Sequence, residues 1–141
     1  MSEALQAGAR LGNLNLFGSD IARLCDFYGS LFGFPEIAAR RTAIYRVLDA
    51  GGVELGFNAH AAYDLLGLAG RQARGEAPVS AYPTFDVSRI EEVEALALRT
   101  VELGGAVVKP AYRTHYGAWQ VVLADPEAHV FRIHCRNAPV V

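Results

Sequence analysis

The sequence predicts an α+β protein made of two βαβββ units, whose strands form an eight-stranded cup with the helices outside. The first observation behind this prediction is an internal repeat, because residues 13–21 align with residues 82–90 in strand alternation and helix start. The second is the period-two alternation of residues 118–135, which is typical of a hairpin with one apolar and one polar face. Two such units can each cover one sheet face with a helix and turn the other faces towards a shared cleft.

The first unit, residues 10–58, has one helix among its strands. Ile21, Leu24, Cys25, Tyr28 and Leu31 form an apolar stripe at helical spacing, which predicts a helix over 20–32 that ends at Gly33. Alternating and apolar residues predict strands at 11–17, 36–40, 43–49 and 53–58.

The second unit, residues 80–136, repeats this order. We predict strands at 81–87, 106–112, 118–124 and 129–135, and a helix from about 89 to 103. Between the units, residues 59–79 form a connector with a short helix near 62–66 and a polar loop rich in glycine and proline. Residues 1–9 are predicted to be a flexible N-terminal tail, and residues 137–141 a C-terminal tail.

Composition excludes several classes of function. The net charge is -2 and no basic run is present, which argues against nucleic-acid binding. No apolar stretch approaches the roughly 20 residues of a membrane span, and the N-terminus lacks the features of a signal peptide. Cys25 and Cys135 both fall on apolar faces, so we expect buried thiols in a reducing cytoplasm.

Strand parity selects the side chains that point into the cup. They are the residues opposite in parity to those that face the helices. From the first strand of each unit they are Asn13, Asn15, Tyr82 and Thr84, and from the last strand they are Glu54, Gly56, Arg132 and His134.

Two segments resemble the glyoxalase/bleomycin-resistance/extradiol-dioxygenase superfamily, also called vicinal oxygen chelate proteins. They are SDIARLCDFYGSLFGF at 19–34 and LADPEAHVFRI at 123–133. The resemblance extends over roughly residues 11–136. It implies paired βαβββ modules, a homodimer, and, in the enzymes of the superfamily, a divalent metal held by His, Gln or Glu from the first and last strand of each module.

The sequence departs from this family pattern at the metal-ligand positions. Asn13, Tyr82 and Arg132 occupy three of them, and the fourth is Glu54 when strands are aligned or Gly56 when turns are aligned. Arginine is always protonated and repels a dication. We therefore expect no metal and no other cofactor. The family turn usually has glycine where this chain has Ala128, so we expect a different turn shape here.

Arg132 is the strongest candidate for ligand binding, because a charged side chain inside a strand needs a partner. It is a fork for a ligand carboxylate, the partner of Glu54 in an internal salt bridge, or both if a ligand displaces part of that bridge. Tyr82 is either a hydrogen-bond donor or a wall residue. His134 is a possible general base, although we expect it to be partly exposed at the rim. Trp119, with Tyr112, His115 and Tyr116, forms a stacking wall or lid for a ligand, an aromatic core plug or a subunit contact.

The favoured function is metal-independent binding of a small organic molecule in the cup. The ligand residues predicted from the sequence are Asn13, Asn15, Glu54, Tyr82, Thr84, Trp119, Arg132 and His134. The alternative is a metal-dependent lyase, isomerase or dioxygenase of the same superfamily with a divergent metal site. A third hypothesis is a dimeric scaffold whose cup is filled by its own side chains. A cytoplasmic homodimer is expected, with sheet edges after Asn58 and near Cys135 available to a partner. The sequence assigns no catalytic residue.

Overall fold

The computed structural model describes residues 8–73 and 76–136, and it confirms the α+β class. The predicted tails at 1–9 and 137–141 lie outside the described residues, apart from residues 8 and 9. The elements in chain order are β1 (Asn13–Gly18), α1 (Ile21–Phe32), β2 (Tyr45–Asp49), β3 (Glu54–Ala59), α2 (Ala61–Leu65), β4 (Thr84–Asp86), α3 (Ile90–Glu102), β5 (Ala106–Arg113), β6 (Trp119–Ala124) and β7 (Val130–Cys135).

The two halves of the chain form two similar sheets. In the first, the strand order is β1-β3-β2, with β1 parallel and β2 antiparallel to β3. In the second, the order is β4-β7-β6-β5, with β4 parallel to β7 and the remaining pairs antiparallel. The described residues therefore form seven strands in two sheets, and the single eight-stranded cup is not confirmed.

The missing strand is the one predicted at 36–40. Ala38–Arg40 is a 3₁₀-helix instead, and Glu36 makes one isolated bridge to Leu48. The backbone N–H groups of Arg40 and Arg41 bond to carbonyls three residues earlier, which replaces the cross-strand ladder. The side chain of Arg41 also binds Glu36 over 2.7 Å. The local bonds thus outweigh extension of the sheet edge.

Sheet edges also differ from the prediction. The strands that end near Asn58 and Cys135 are β3 and β7, and both are flanked by strands on either side. The edges are β1 and β2 in one sheet and β4 and β5 in the other. Within the described ranges, no helix has the length and apolar character that crossing a membrane requires.

Side chains from both halves share one apolar core. The α1 residues Phe27 and Tyr28 are buried against Phe131 of β7, with ring centroids 6.0 Å and 5.5 Å apart. Tyr28 also stacks on Phe57 of β3 at 5.7 Å. Because the apolar faces of both sheets are used in this core, the polar faces remain available for a site.

Both cysteines are free and buried, as predicted. Burial, reinforced by the nearby charge of Glu36, raises the pKa of the Cys25 thiol to about 11. A protonated, buried thiol is a poor nucleophile, which supports a packing role for Cys25.

The turn between β6 and β7 keeps a left-handed residue despite the alanine. Ala128 has a φ of 70°, so the prediction of a different turn shape is wrong. Asp125 stabilises this conformation, since its carboxylate accepts the backbone N–H groups of Glu127 at 2.8 Å and His129 at 3.1 Å. The same carboxylate contacts Nδ1 of His129 at 2.8 Å, and this histidine is only partly exposed.

Candidate functional site

A cleft of about 570 Å³ lies on the polar face of the second sheet. Its volume is within the range of small-molecule sites in proteins. We call it the Arg132 cleft, and its lining residues are Val79, Tyr82, Val108, Tyr112, Arg113, Thr114, His115, Tyr116, Gln120, Val122, Val130 and Arg132. The aromatic stretch predicted from the sequence thus contributes Tyr112, His115 and Tyr116 to the lining.

Arg132 is held in the cleft by neutral groups. Its Nε donates to Oγ1 of Thr84 at 2.7 Å, and Nη1 donates to Oε1 of Gln120 at 2.9 Å. A longer contact of 3.5 Å joins Nη1 to the hydroxyl of Tyr116, and Cζ lies 5.4 Å from the ring centroid of Tyr82. Within the described residues, Arg132 has no carboxylate partner. Its positive charge is oriented but not neutralised.

Gln120 orients the guanidinium because its own amide is fixed on the other side. Its Nε2 donates a short hydrogen bond to the hydroxyl of Tyr112, which leaves Oε1 to face Arg132. Gln120 is buried and pairs with His134 in the register between β6 and β7. The period-two pattern places Gln120 on the same face as Arg132. Its role was not predicted, because one neutral polar residue in an apolar strand does not by itself indicate a site.

His134 is buried, with 3% of its surface exposed, so the prediction of a partly exposed rim residue is wrong. Its Nδ1 lies 3.2 Å from Oδ1 of Asp86, and its Nε2 lies 3.2 Å from the hydroxyl of Tyr116. The Tyr116 ring covers the histidine and is itself exposed to the cleft. Asp86 and Gln120 flank the histidine in the sheet, and Tyr116 adds a third neighbour that residue spacing in the sequence did not indicate.

Glu54 does not pair with Arg132. Instead both of its oxygens bind Arg40, at 2.6 Å and 2.8 Å, and Nδ2 of Asn13 lies 3.4 Å from Oε1. The hydrogen bond from Arg40 is the main cause of a lowered pKa for the Glu54 carboxyl. Arg40 reaches Glu54 because the 3₁₀-helix brings its side chain to the start of β3.

The repeat identifies Gly56, rather than Glu54, as the counterpart of Arg132. Asn15 and Thr84 stand the same number of residues before α1 and α3, and their strand partners are Gly56 and Arg132. A Cβ at position 56 would collide with Oδ1 of Asn15, which accepts a 3.0 Å hydrogen bond from Asn58. The first half therefore carries a network of its own polar side chains at this position.

The residues at the four ligand positions do not fit a divalent metal. Arg132 is cationic, Gly56 has no side chain, and Tyr82 is half-exposed beside the guanidinium. Asn13 has a buried amide oxygen without a hydrogen-bond partner, but one amide oxygen is a weak ligand for transition metals. Across residues 8–73 and 76–136, no group of three His, Cys, Asp or Glu side chains could hold a metal ion.

The predicted ligand residues fall into three places. Tyr82, Thr84, Arg132 and His134 come together at the Arg132 cleft, directly or through Tyr116. Asn13, Asn15 and Glu54 form contacts within the first half. Trp119 packs against the apolar core on the opposite face of β6, so it does not line the cleft. Adjacent residues of a strand point to opposite faces, so Trp119 faces the core because Gln120 faces the cleft.

Two larger clefts differ in charge from the Arg132 cleft. One, of about 760 Å³, lies between the end of β1 and the connector, and its lining includes Glu76 and Glu127. The other, of about 710 Å³, lies between the halves and includes Glu54, Asp86 and Glu92. Neither is lined by a described arginine or lysine, so of these three clefts the Arg132 cleft is the best suited to an anion.

Comparison with known proteins agrees with the architecture. A profile of the glyoxalase-like domain family matches residues 15–134. A glyoxalase/bleomycin resistance protein/dioxygenase family enzyme from Burkholderia phytofirmans PsJN is 39% identical, with 90% of this chain and 98% of that chain covered and a TM-score of 0.86. No curated protein matches this sequence.

More distant structures share the fold. A glyoxalase-related enzyme from Fulvimarina pelagi is 24% identical, with 93% of this chain and 88% of that chain covered and a TM-score of 0.77. A lactoylglutathione lyase from Agrobacterium tumefaciens is 16% identical, with 89% and 92% covered and a TM-score of 0.66. The family match and the related structures lead to one conclusion: the chain belongs to the glyoxalase-like domain family, within the glyoxalase/bleomycin resistance/dioxygenase superfamily.

Proposed function

We propose that this protein binds a small organic carboxylate in the Arg132 cleft, without a metal ion. The observation that carries the proposal is the arginine itself, which is oriented by Thr84 and Gln120 but has no acidic partner among the described residues. A guanidinium in a partly enclosed site is most favourable when it meets a carboxylate, because the charge-assisted hydrogen bonds replace lost hydration.

The rest of the cleft suits the apolar body of such a ligand. Tyr82, Tyr112 and Tyr116 supply aromatic surface, and Val122 and Val130 supply an aliphatic floor. Apolar walls with a few placed polar groups are typical of sites for small organic molecules. An aromatic or branched carboxylate therefore fits the lining better than a sugar.

The test is binding of benzoate and short branched carboxylates, compared with their neutral amides, by ligand-observed NMR and calorimetry. Carboxylates should bind more tightly than the matching amides. Arg132→Ala should weaken carboxylate binding by about tenfold or more, since a hydrogen bond to a charged group contributes roughly 1.5–3 kcal/mol. Arg40→Ala is the matched control, because it removes one arginine from the first half and should leave binding unchanged.

Metal independence is tested on the same protein. Protein purified without chelator should hold much less than one zinc, nickel, iron or manganese ion per chain, and EDTA should not change carboxylate affinity. A full equivalent of tightly held metal would overturn metal independence. Equal binding of carboxylates and amides, or no binding of either, would overturn the ligand class.

We further propose that the protein acts as a cytoplasmic homodimer. This proposal is supported by the family resemblance and by the exposed valines of β5, Val107 and Val108, which are 43% and 58% exposed. Light scattering at micromolar concentration should give twice the chain mass of 15.2 kDa. A monomer under those conditions would contradict it.

A further inference from the structure

Behind Arg132, three side chains form a continuous hydrogen-bonded chain that ends in the cleft. Asp86 on β4 contacts Nδ1 of His134 on β7, and Nε2 of His134 contacts the hydroxyl of Tyr116, each at 3.2 Å. The same hydroxyl lies 3.5 Å from Nη1 of Arg132. The Tyr116 hydroxyl is thus placed between a buried histidine and the proposed carboxylate-binding group.

The chemistry of the chain assigns its hydrogens when His134 is neutral. The ionised carboxylate of Asp86 only accepts hydrogen bonds, so Nδ1 of His134 carries the hydrogen. Nε2 then accepts, and Tyr116 must donate its hydroxyl hydrogen to it. In that state the oxygen of Tyr116 offers only lone pairs to the cleft, where Nη1 of Arg132 is its donor.

In that arrangement the Tyr116 hydroxyl cannot donate a hydrogen bond to a carboxylate bound to Arg132. Its oxygens and the oxygen of Tyr116 are all acceptors, and no hydrogen lies between them. If His134 takes up a proton, Nε2 becomes a donor to Tyr116, and the hydroxyl hydrogen turns towards the ligand. The carboxylate then gains a hydrogen bond, and Asp86 stabilises the imidazolium.

We propose that Tyr116 and His134 make the Arg132 cleft selective for carboxylates through proton uptake, with one proton bound at His134 when the carboxylate binds. This inference rests on the proposed function of the cleft. Tyr116 is the residue that touches the ligand, and His134 and Asp86 are positioning residues that set the direction of its hydrogen bond.

Several other charged or titratable groups of the described residues lie near His134 or its partners. Arg132 precedes it by two residues on β7, and a bound carboxylate would neutralise this guanidinium. Arg136 approaches Asp86 at 3.5 Å, and the β6 partner, Gln120, is neutral. His115 lies next to Tyr116, with ring centroids 5.1 Å apart, and is exposed. Its substitution is therefore a useful control for histidine titration in the same loop.

The experiment measures benzoate and benzamide affinity between about pH 5.5 and pH 8.5, which brackets the usual histidine range. Benzoate remains ionised throughout. The affinity for benzoate should fall by up to about tenfold for each unit by which the pH rises within this range, because binding takes up one proton. Benzamide can donate from its amide to the Tyr116 oxygen, so its affinity should be nearly constant. Calorimetry in two buffers of different ionisation enthalpy should measure the uptake of up to one proton for each benzoate bound.

Variants separate this inference from a purely structural role. His134→Gln keeps a permanent amide donor towards Tyr116 and should make benzoate binding independent of pH. Asp86→Asn should move the fall in benzoate affinity to lower pH, because the imidazolium loses its carboxylate partner. The Asp86 side chain is half-exposed, so this variant provides a second test if His134→Gln fails to fold. His115→Gln should keep the wild-type profile.

The outcomes distinguish the two proposals. If benzoate binds with an affinity that does not change with pH, the inference about His134 is wrong and the proposed function stands. If benzoate does not bind at any pH, the proposed function itself is wrong. If Asp86→Asn leaves the wild-type pH profile unchanged, the relay through His134 is contradicted.

Discussion

The hydroxyl of Tyr28 in α1 donates a 2.7 Å hydrogen bond to Oδ2 of Asp125, at the start of the turn between β6 and β7. Both side chains are buried, so burial, with the charge of Asp125, raises the pKa of Tyr28 well above its usual value. This bond joins the helix of the first half to the hairpin of the second. It fixes the carboxylate that also organises the turn.

Tyr28→Phe should lower the free energy of unfolding by about 1.5–3 kcal/mol, because a buried charged acceptor loses a donor while the ring stays packed. Urea denaturation of both proteins measures the difference. Tyr45→Phe is the matched control, since its hydroxyl takes part in a weaker, 3.3 Å contact with Asn13. Equal stability of Tyr28→Phe and wild type would show that the Tyr28–Asp125 bond contributes little.

His129 should make stability depend on pH. Burial disfavours its charged form, but the hydrogen bond and charge of Asp125 outweigh this and raise the pKa of His129 above its usual value. A raised folded-state pKa stabilises the protein fully below the unfolded value of about 6.5, and this stabilisation is lost as pH rises through the folded value.

The free energy of unfolding should therefore decline as pH increases from about 6.5 upwards. Urea denaturation at several pH values measures the slope. His129→Gln should flatten it, whereas His60→Gln, at an exposed position, should preserve it. A wild-type slope that survives in His129→Gln would assign the pH dependence to another group.

Ala128→Gly should stabilise the protein by about 1 kcal/mol. Ala128 has a φ of 70°, where an L-residue with a Cβ is disfavoured and glycine is not. Part of the gain is offset because glycine increases the entropy of the unfolded chain. Ala106→Gly, on an exposed strand residue with ordinary φ, is the control and should not stabilise. A lower melting temperature for Ala128→Gly would refute the argument from backbone strain.

A double-mutant cycle should separate the partner of Glu54 from the partner that the sequence predicted. Arg40→Ala and Glu54→Gln should be coupled in unfolding experiments, since both oxygens of Glu54 bind Arg40. The coupling should weaken at high salt because the pair is exposed to solvent. Arg132→Ala and Glu54→Gln should instead be additive. Coupling in the second cycle would place Glu54 in the Arg132 cleft.

Local patterns were sufficient for most of the elements. The apolar stripe from Ile21 to Leu31 predicted α1, and alternation at 118–135 predicted β6 and β7, because periodicity reports which side of an element is buried. The strand predicted at 36–40 was wrong, since short i to i+3 bonds and the Arg41–Glu36 pair decided its conformation.

The sequence by itself determined the α+β class, the repeated order of elements and the family, and it made Arg132 the leading candidate for ligand binding. Each depends on residue type and spacing, which are present before the chain folds. Only the tertiary structure decided which partners those side chains have. Glu54 is bound by Arg40, Arg132 by Thr84 and Gln120, and His134 by Asp86 and Tyr116. Strand parity gives the face of a side chain, but long side chains reach partners on other elements, and that reach depends on how the sheets and loops pack.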